Sequence, residues 1–235
     1  MLKYEFIRKI IEDNLIPRED YIYGFADLKN LIDKKFGDFH YGIAIGRRLD
    51  PGIVNGIMNG PTLEYYRHYR AINTELAAST QKIADDLKKV GINAICISPT
   101  VTTEELDTVY AGNLTYPVSH KMVATRAGLG WIGKSDLFIS KVFGPRLRLV
   151  SILTDTPLDT CPEPVETSRC GNCRICMDRC PAGAINGKPW DVSVHRDEYF
   201  DAFRCREMCK ELGEKTLKMN VRVCGICVAV CPFGW

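Results

Sequence analysis

The cysteines of this chain are concentrated in one segment and have the spacing of iron–sulfur ligands. The chain has 235 residues and 11 cysteines, and most of them lie between Cys170 and Cys231. A first run reads C-x2-C-x2-C-x3-C and is followed by proline; a second, shorter run begins at Cys224 and also ends before a proline. Thiolates at this spacing hold [4Fe–4S] clusters, which carry single electrons. The sequence therefore predicts a module with two such clusters.

The order of the cysteines predicts which of them share a cluster. In two-cluster ferredoxins the fourth cysteine of each run ligates the other cluster. The second run has only three cysteines, so one ligand has to come from Cys205 or Cys209; we take Cys205, with Cys209 as the spare. The predicted ligands are Cys170, Cys173, Cys176 and Cys231 for the first cluster, and Cys180, Cys205, Cys224 and Cys227 for the second.

Two other uses of the cysteines fit the pattern less well. A disulfide scaffold is disfavoured because the chain has no export signal and the cysteines have metal-ligand spacing. Zinc is commonly held by C-x2-C pairs, but a zinc site does not require four cysteines within twelve residues followed by proline. Cys96 lies in an apolar segment and is expected in the core, and Cys161 is expected to be incidental.

A glycine-rich turn, "AGLGWIGK" at 127–134, precedes the cysteines. Gly128, Gly130 and Gly133 permit positive φ and close approach of the backbone to a ligand. A dinucleotide-binding turn of this type follows a strand and opens a helix. Here the turn follows a predicted helix and opens a predicted strand, so the Rossmann interpretation fails. The alternative is a tight structural turn with Trp131 as a packing residue.

Interleaved helices and strands are predicted to position these residues, which indicates an α/β (α+β) fold. A helix at 2–14 is expected to have Phe6, Ile10 and Ile11 on one side. A long helix is expected from Pro61, as its first residue, to Val90, with Gly91 as its cap. The remaining expected elements are a helix at 119–126 and strands at 21–28, 41–49, 92–98, 136–140 and 146–153. A linker-like composition after Asp155 predicts domains at 1–155 and 156–235.

The composition excludes several classes of function. The 31 basic and 29 acidic residues nearly balance, and no long basic run points to nucleic acid or a membrane surface. No apolar run approaches the ~18 residues of a membrane span, and the N-terminal segment lacks the features of a signal peptide. We expect a soluble, cytoplasmic protein with no membrane partner.

The glycine turn, the strand after it, the segment "GPRLRLVSILTDTPL" and the first cysteine run together resemble the epoxyqueuosine reductases and reductive dehalogenases. The resemblance implies a nitroreductase-like three-layer sandwich followed by a bacterial-type two-[4Fe–4S] ferredoxin module. "DAFRC" resembles the segment that supplies the outlying cluster ligand in that family, which supports Cys205. The resemblance also implies an oxidoreductase of anaerobic chemistry that holds base-off cobalamin or a related corrinoid. The implied corrinoid contacts are Gly128, Gly130, Trp131, Gly133, Lys134 and Ser135. His120 is a candidate for a further corrinoid contact, for a proton shuttle or for a residue on the helix surface.

The sequence departs from that family in ways that affect its substrate. The family's proton-donating aspartate corresponds to Leu114, so Tyr116 and Lys121 are the candidate catalytic residues. The helical-repeat portion that binds tRNA in epoxyqueuosine reductases is not matched, so we expect no tRNA partner and a substrate other than epoxyqueuosine. The predicted function is therefore a corrinoid-dependent iron–sulfur reductase acting on an unknown small molecule.

Two further hypotheses stay open at this point. The chain is alternatively an electron-transfer or activating protein that reduces the corrinoid of a partner protein, such as a methyltransferase. It is alternatively a flavin variant, because nitroreductase-like folds commonly hold FMN. In each case a low-potential donor such as ferredoxin or flavodoxin is the expected electron source, and the oligomeric state is open.

Overall fold

The computed structural model describes residues 3–100 and 112–234, and contacts divide the chain into two compact units. The first unit comprises Met1–Arg48, Ile72–Leu129 and Arg148–Val165, and the second comprises Leu49–Ala71, Gly130–Leu147 and Glu166–Trp235. Both units are discontinuous along the chain, whereas the composition predicted a single boundary near Asp155. The stretch 130–147, which contains most of the glycine turn, belongs to the same unit as the cysteine runs.

The helices and strands of the described residues are, in chain order, α1 (Lys3–Asp13), β1 (Tyr21–Asp27), β2 (Tyr41–Arg48), α2 (Pro51–Asn55), α3 (Leu63–Lys89), β3 (Ala94–Ile97), α4 (His120–Arg126), β4 (Gly130–Ile132), β5 (Phe138–Ser140), β6 (Leu147–Thr154), α5 (Ile175–Asp178), α6 (Ala202–Leu212) and α7 (Ile226–Ala229). Single-turn 3-10 helices cover Arg18–Asp20, Lys34–Phe36 and Arg196–Glu198, and a π-helical turn, Gly213–Leu217, follows α6.

A four-stranded sheet of order β1-β2-β6-β3 forms the centre of the first unit. β1 pairs antiparallel with β2, and β3 pairs antiparallel with β6, with Cys96 opposite Ile152. β2 and β6 are buried along most of their length, which is typical of strands covered on both faces. Helix α4 packs against β1 and β2. The predicted mixed α/β fold is confirmed.

Helix ends follow local hydrogen bonding, and one expectation about them needs correction. α3 begins at Leu63 and not at Pro61, because the hydroxyl of Thr62 accepts a hydrogen bond from the backbone N–H of Tyr65 and so caps the helix. Proline occupies the first turn of α2 instead, where the Asp50 carboxylate accepts from the N–H of Ile53. The predicted end at Gly91 is confirmed by its φ of 78° and by the bond from the N–H of Ile92 to the carbonyl of Leu87.

The apolar face of α1 differs from the one predicted. Ile7 and Ile11 are buried, one turn apart, whereas Phe6 is 37% exposed. The short helix predicted at 119–126 is confirmed as α4, with Ser119 as its cap. No helix in residues 3–100 or 112–234 combines the length and the apolar character that crossing a membrane requires.

In the second unit, β4 and β5 form an antiparallel hairpin, with Gly130 opposite Ser140. Its turn is closed by a bond of 2.8 Å from the N–H of Gly133 to the carbonyl of Leu137, with Asp136 at a φ of 59°. The strand predicted at 136–140 therefore begins two residues later, after a tight turn. This turn projects Lys134, Ser135 and Asp136.

Candidate functional site

The first cysteine group lines a cavity in the second unit. Cys170, Cys173 and Cys176 come from the first run, and Cys231 comes from the end of the second. The cavity encloses about 350 Å³ that protein atoms do not fill, part of it open to solvent. Four cysteines are the donor set of a [4Fe–4S] cluster. The residues that the spacing assigned to one cluster thus lie around one cavity, with Cys227 also on its wall.

Tight backbone turns place these four thiols. Gly171 has a φ of 51°, and the N–H of Cys173 donates to the carbonyl of Cys170 at 3.1 Å. Cys176 lies in α5, a single helical turn. Cys231 follows α7, whose N-cap residue Gly225 has a φ of 90°.

The second cysteine group gathers around α6. Cys205 and Cys209 lie one helical turn apart and therefore on the same face of α6. The thiol of Cys209 is hydrogen-bonded with those of Cys205 and Cys224. Cys227 interacts electrostatically with Cys224, Cys205 and Cys180, and also with Cys176 of the first group. The cysteines predicted for the second cluster therefore act on one another, with Cys209 hydrogen-bonded to two of them and Cys227 lying close to both groups.

The thiols differ in their acidity. Burial, with the neighbouring cysteines, raises the pKa of Cys176 to about 11, and burial likewise raises that of Cys231 to about 11. The hydrogen bond with Cys209 lowers the pKa of Cys224 to about 7 and lowers that of Cys205, while it raises that of Cys209 itself. Burial also raises the pKa of Cys227 well above its ordinary value. Iron binds thiolates, so assembling clusters here has to release protons at both groups.

No three His, Cys, Asp or Glu side chains within residues 3–100 and 112–234 come close enough to hold a single metal ion. The ligands of a [4Fe–4S] cluster surround a four-iron core and do not converge on one ion.

Lys134 reaches from the hairpin turn to the first cysteine loop. It is 7% exposed and lines the cavity. Its Nζ donates to the carbonyl oxygens of Gly171 at 2.8 Å and Cys173 at 3.0 Å. Ser135 and Gly133 line the same cavity. These residues, predicted from the resemblance to contact a corrinoid, here support the loop of the first cysteine group.

Arg146 forms hydrogen bonds with the segment around Cys231, the last cysteine of the first group. It is 2% exposed, and its guanidinium donates to the carbonyl oxygens of Phe233 at 2.6 Å, Cys231 at 2.8 Å and Ala229 at 3.2 Å. Burial lowers its pKa from a very high ordinary value, so it remains a cation. Sequence reasoning missed this residue, and its only signal was an arginine between buried apolar residues at the start of β6.

Gly128, Gly130 and Trp131 complete the glycine turn. Gly128 has a φ of 72° and lies against the thiol of Cys161. A Cβ on Gly130 would lie 2.1 Å from the carbonyl oxygen of Ile139, so this glycine is required by the strand pairing itself. Trp131 is buried and packs edge-on against Phe233 at a centroid distance of 5.1 Å. The structural-turn interpretation of these glycines fits this packing, and their contact with a corrinoid stays a prediction.

His120 lies in the first unit with both ring nitrogens hydrogen-bonded. Nε2 lies 2.8 Å from the carbonyl oxygen of Ser98, and Nδ1 lies 2.9 Å from the hydroxyl of Ser151. A carbonyl only accepts, so Nε2 carries the proton and Nδ1 accepts from Ser151. Burial, with a smaller contribution from Arg148, lowers the pKa of His120 to about 4. A corrinoid contact by either nitrogen would have to replace one of these hydrogen bonds.

The His120 ring should therefore stay neutral until strongly acidic pH. Following the Cε1–H resonances of the four histidines by NMR, with His120→Gln to assign its signal, should give a midpoint near 4 for His120. The unfolded chain takes up this proton near 6.5, so the stability that the neutral ring contributes is complete above that pH and is lost as the pH falls towards 4. A midpoint near 6.5 in the folded protein would contradict this burial.

The two residues predicted to be catalytic also lie in the first unit. Tyr116 precedes α4, and Lys121 is in its first turn; both side chains are half-buried. Their catalytic roles stay predictions. Leu114, at the position corresponding to the family's aspartate, has a φ of 52°.

Comparisons with known proteins agree with this architecture. The family described as "4Fe-4S double cluster binding domain" matches residues 169–234. Epoxyqueuosine reductase of Salmonella typhimurium is 30% identical over 132 residues, which is 53% of this chain and 34% of that protein. The chain thus covers about a third of the length of that relative.

Two solved structures have a similar fold. One is a reductive dehalogenase whose structure suggests a mechanism for B12-dependent dehalogenation, with a TM-score of 0.62, 17% identity and coverage of 91% of this chain and 30% of the other. The second is an epoxyqueuosine reductase, with a TM-score of 0.60, 18% identity and coverage of 98% and 66%. At these identities the likeness concerns the fold.

Together, the fold and the cysteine groups define a mixed α/β protein with a C-terminal 4Fe-4S double cluster domain. Over about half of its length the chain is similar to epoxyqueuosine reductases, and its fold is similar to those of epoxyqueuosine reductases and reductive dehalogenases.

Proposed function

We propose that this protein is an iron–sulfur reductase that passes electrons from two [4Fe–4S] clusters to a base-off corrinoid and on to a small organic molecule. The observation that carries the proposal is the gathering of the cysteines into two groups, one of which surrounds a cavity. Cys170, Cys173, Cys176 and Cys231 would hold the first cluster, and Cys180, Cys205, Cys224 and Cys227 the second. The clusters supply one-electron reduction when bound.

The corrinoid part of the proposal rests on the family and on one atom of this chain. The indole N–H of Trp131 is buried and has no acceptor among the described residues, so a bound group or a water molecule would satisfy it. A Cβ on Gly130 or on Gly133 would meet atoms of Ile139. These two glycines therefore do not leave open space for a ligand. The finer fold assignment, a nitroreductase-like three-layer sandwich, is part of the same proposal.

Proton delivery would fall to Tyr116 or Lys121. Leu114 has no ionisable group, so the acid that the family uses at this position is replaced by an apolar side chain. A hydroxyl or an ammonium from the neighbouring positions would supply the proton to a reduced substrate. Epoxyqueuosine is therefore not the proposed substrate.

The test is the cofactor content of protein purified without oxygen from cells supplied with cobalamin. We expect about eight irons, matching sulfide and about one cobalt per chain. Trp131→Phe keeps an aromatic ring and removes the N–H, so it should lower cobalt relative to iron while leaving iron unchanged. Iron without cobalt after reconstitution would contradict the corrinoid proposal, and a released flavin would favour FMN in its place.

Leu114 favours one alternative, an electron-transfer or activating protein without a small-molecule substrate of its own. Such a protein would take electrons from a ferredoxin or flavodoxin and reduce the corrinoid of a partner. About eight irons, no cobalt and reduction of an added corrinoid protein would support this alternative, and failure to reduce any added corrinoid protein would contradict it.

A further inference from the structure

The turn between β4 and β5 presents opposite charges to the two cysteine groups. Lys134 lies on the wall of the cavity of the first group and donates to the carbonyls of Gly171 and Cys173. Two residues later, Asp136 interacts electrostatically with Cys205 of the second group. One short turn therefore places a cation at the first group and a carboxylate that acts electrostatically on the second.

The first group has a second buried cation. Arg146 is more deeply buried than Lys134 and interacts electrostatically with Cys231. Lys134 donates to the carbonyl of Cys173 and Arg146 to that of Cys231, so the two cations lie beside different members of the ligand set. Both are buried, so little solvent screens their charges.

The second group has carboxylates in the corresponding places. Asp136 accepts a hydrogen bond of 2.7 Å from the hydroxyl of the buried Tyr199, which fixes its direction. Asp201 caps α6 and also interacts with Cys205, although it is partly exposed and so is more strongly screened.

The second group also has cations, but they lie in more exposed positions. Arg204, next to Cys205, pairs with Asp201 at 3.4 Å and its side chain is 69% exposed, and Arg222, two residues before Cys224, is exposed. Arg206 and Lys210 on α6 are half-buried. The first group therefore has two buried cations, whereas the second has carboxylates together with cations that solvent screens more strongly.

We propose that Lys134 and Arg146 raise the reduction potential of a cluster at the first group above that of a cluster at the second, where Asp136 lowers it. Reduction adds one negative charge to a cluster, so a buried cation stabilises the reduced form and a nearby carboxylate destabilises it. The inference rests on the proposed function only in that both groups hold [4Fe–4S] clusters.

The consequence is a direction for electron transfer. These side chains favour a one-electron exchange in which the cluster at the second group is oxidised and the cluster at the first group is reduced, with no bond or proton transferred. A low-potential one-electron donor supplies each electron at the second group. The cluster at the first group then holds the electron before the electron leaves the module.

The experiment is a redox titration with dithionite, followed by EPR, on anaerobic protein with about eight irons. Two waves are expected. Lys134→Met should move the upper wave down, and Asp136→Asn should move the lower wave up. Each change should alter the exchange equilibrium about tenfold, which is about 59 mV for one electron. Lys134→Arg keeps the charge and should leave the waves in place.

Lys141→Met is the matched control, because it removes the same charge from an exposed position in the same stretch of chain. Lys134→Met moving the lower wave, or moving neither wave more than Lys141→Met does, overturns this inference while the iron content still supports the proposed function. Protein that contains no iron overturns both. Arg146→Met should act like Lys134→Met where it still binds iron, with Arg146→Lys as its charge-conserving partner.

Discussion

Cys205→Ala should leave about four of the eight irons in the protein, whereas Cys209→Ala should retain about eight. Both cysteines lie on the same face of α6, and the thiol of Cys209 is hydrogen-bonded with those of Cys205 and Cys224. Cys205 is among the thiols that act on Cys227, which places it within the second group. Loss of a cluster ligand removes the cluster, while loss of a neighbouring thiol removes only a hydrogen bond.

Iron and sulfide analysis of anaerobic preparations measures this directly. The two variants make the same substitution one helical turn apart, so any general effect of alanine on α6 is shared between them. EPR of the Cys205→Ala protein should show a single remaining reducible cluster. Loss of four irons from the Cys209→Ala protein, with eight retained in Cys205→Ala, would reverse the assignment and make Cys209 the ligand.

Gly144→Ala should destabilise the second unit far more than Gly183→Ala. Both glycines have nearly the same left-handed backbone, with φ of 56° and 57°. A Cβ on Gly144 would lie 2.0 Å from the carbonyl oxygen of Phe233, while nothing lies within 4 Å of a Cβ on Gly183. Alanine at Gly183 should cost about 1–2 kcal/mol for its backbone conformation alone, and alanine at Gly144 at least twice as much.

The close contact between Gly144 and Phe233 also affects the first cysteine group. The carbonyl of Phe233 accepts a hydrogen bond from Arg146, which also holds the carbonyl of Cys231. Pushing this segment away from Gly144 should therefore loosen Cys231, and the Gly144→Ala protein should lose iron at the first group as well as melting at a lower temperature. Equal melting temperatures and equal iron in the two variants would show that the contact with Phe233 is not as close as described.

Features encoded within a few neighbouring residues could be predicted from the sequence. The cap of α3 at Gly91 is a local hydrogen-bonding motif and was predicted correctly, and the helix predicted at 119–126 is present as α4 with Ser119 as its cap. The two cysteine runs are local in the same sense, because the spacing of thiols around a cluster is encoded in tight turns. The 4Fe-4S double cluster domain is confirmed over residues 169–234.

Predictions that depended on choosing between neighbouring residues were less successful. Pro61 and Thr62 both suit the start of a helix, and the hydroxyl cap prevailed because it satisfies a backbone N–H that proline cannot. Phe6 was placed on the buried face of α1, yet Ile7 and Ile11 are the buried pair. Helical periodicity shows roughly which side of a helix is apolar. Which of the apolar residues on that side become buried depends on the elements that pack against the helix.

The sequence by itself indicated the chemistry of this protein, through seven cysteines in cluster spacing and a family resemblance carried by one glycine turn and the segments around it. Only the tertiary structure decided what surrounds those cysteines. Lys134 and Arg146 lie 36 and 85 residues before the cysteines whose environment they shape, Cys170 and Cys231, and no local pattern connects such distant positions. Burying a cation without solvent requires acceptors from elsewhere in the chain, so the charge around each cysteine group becomes defined only when the chain has folded.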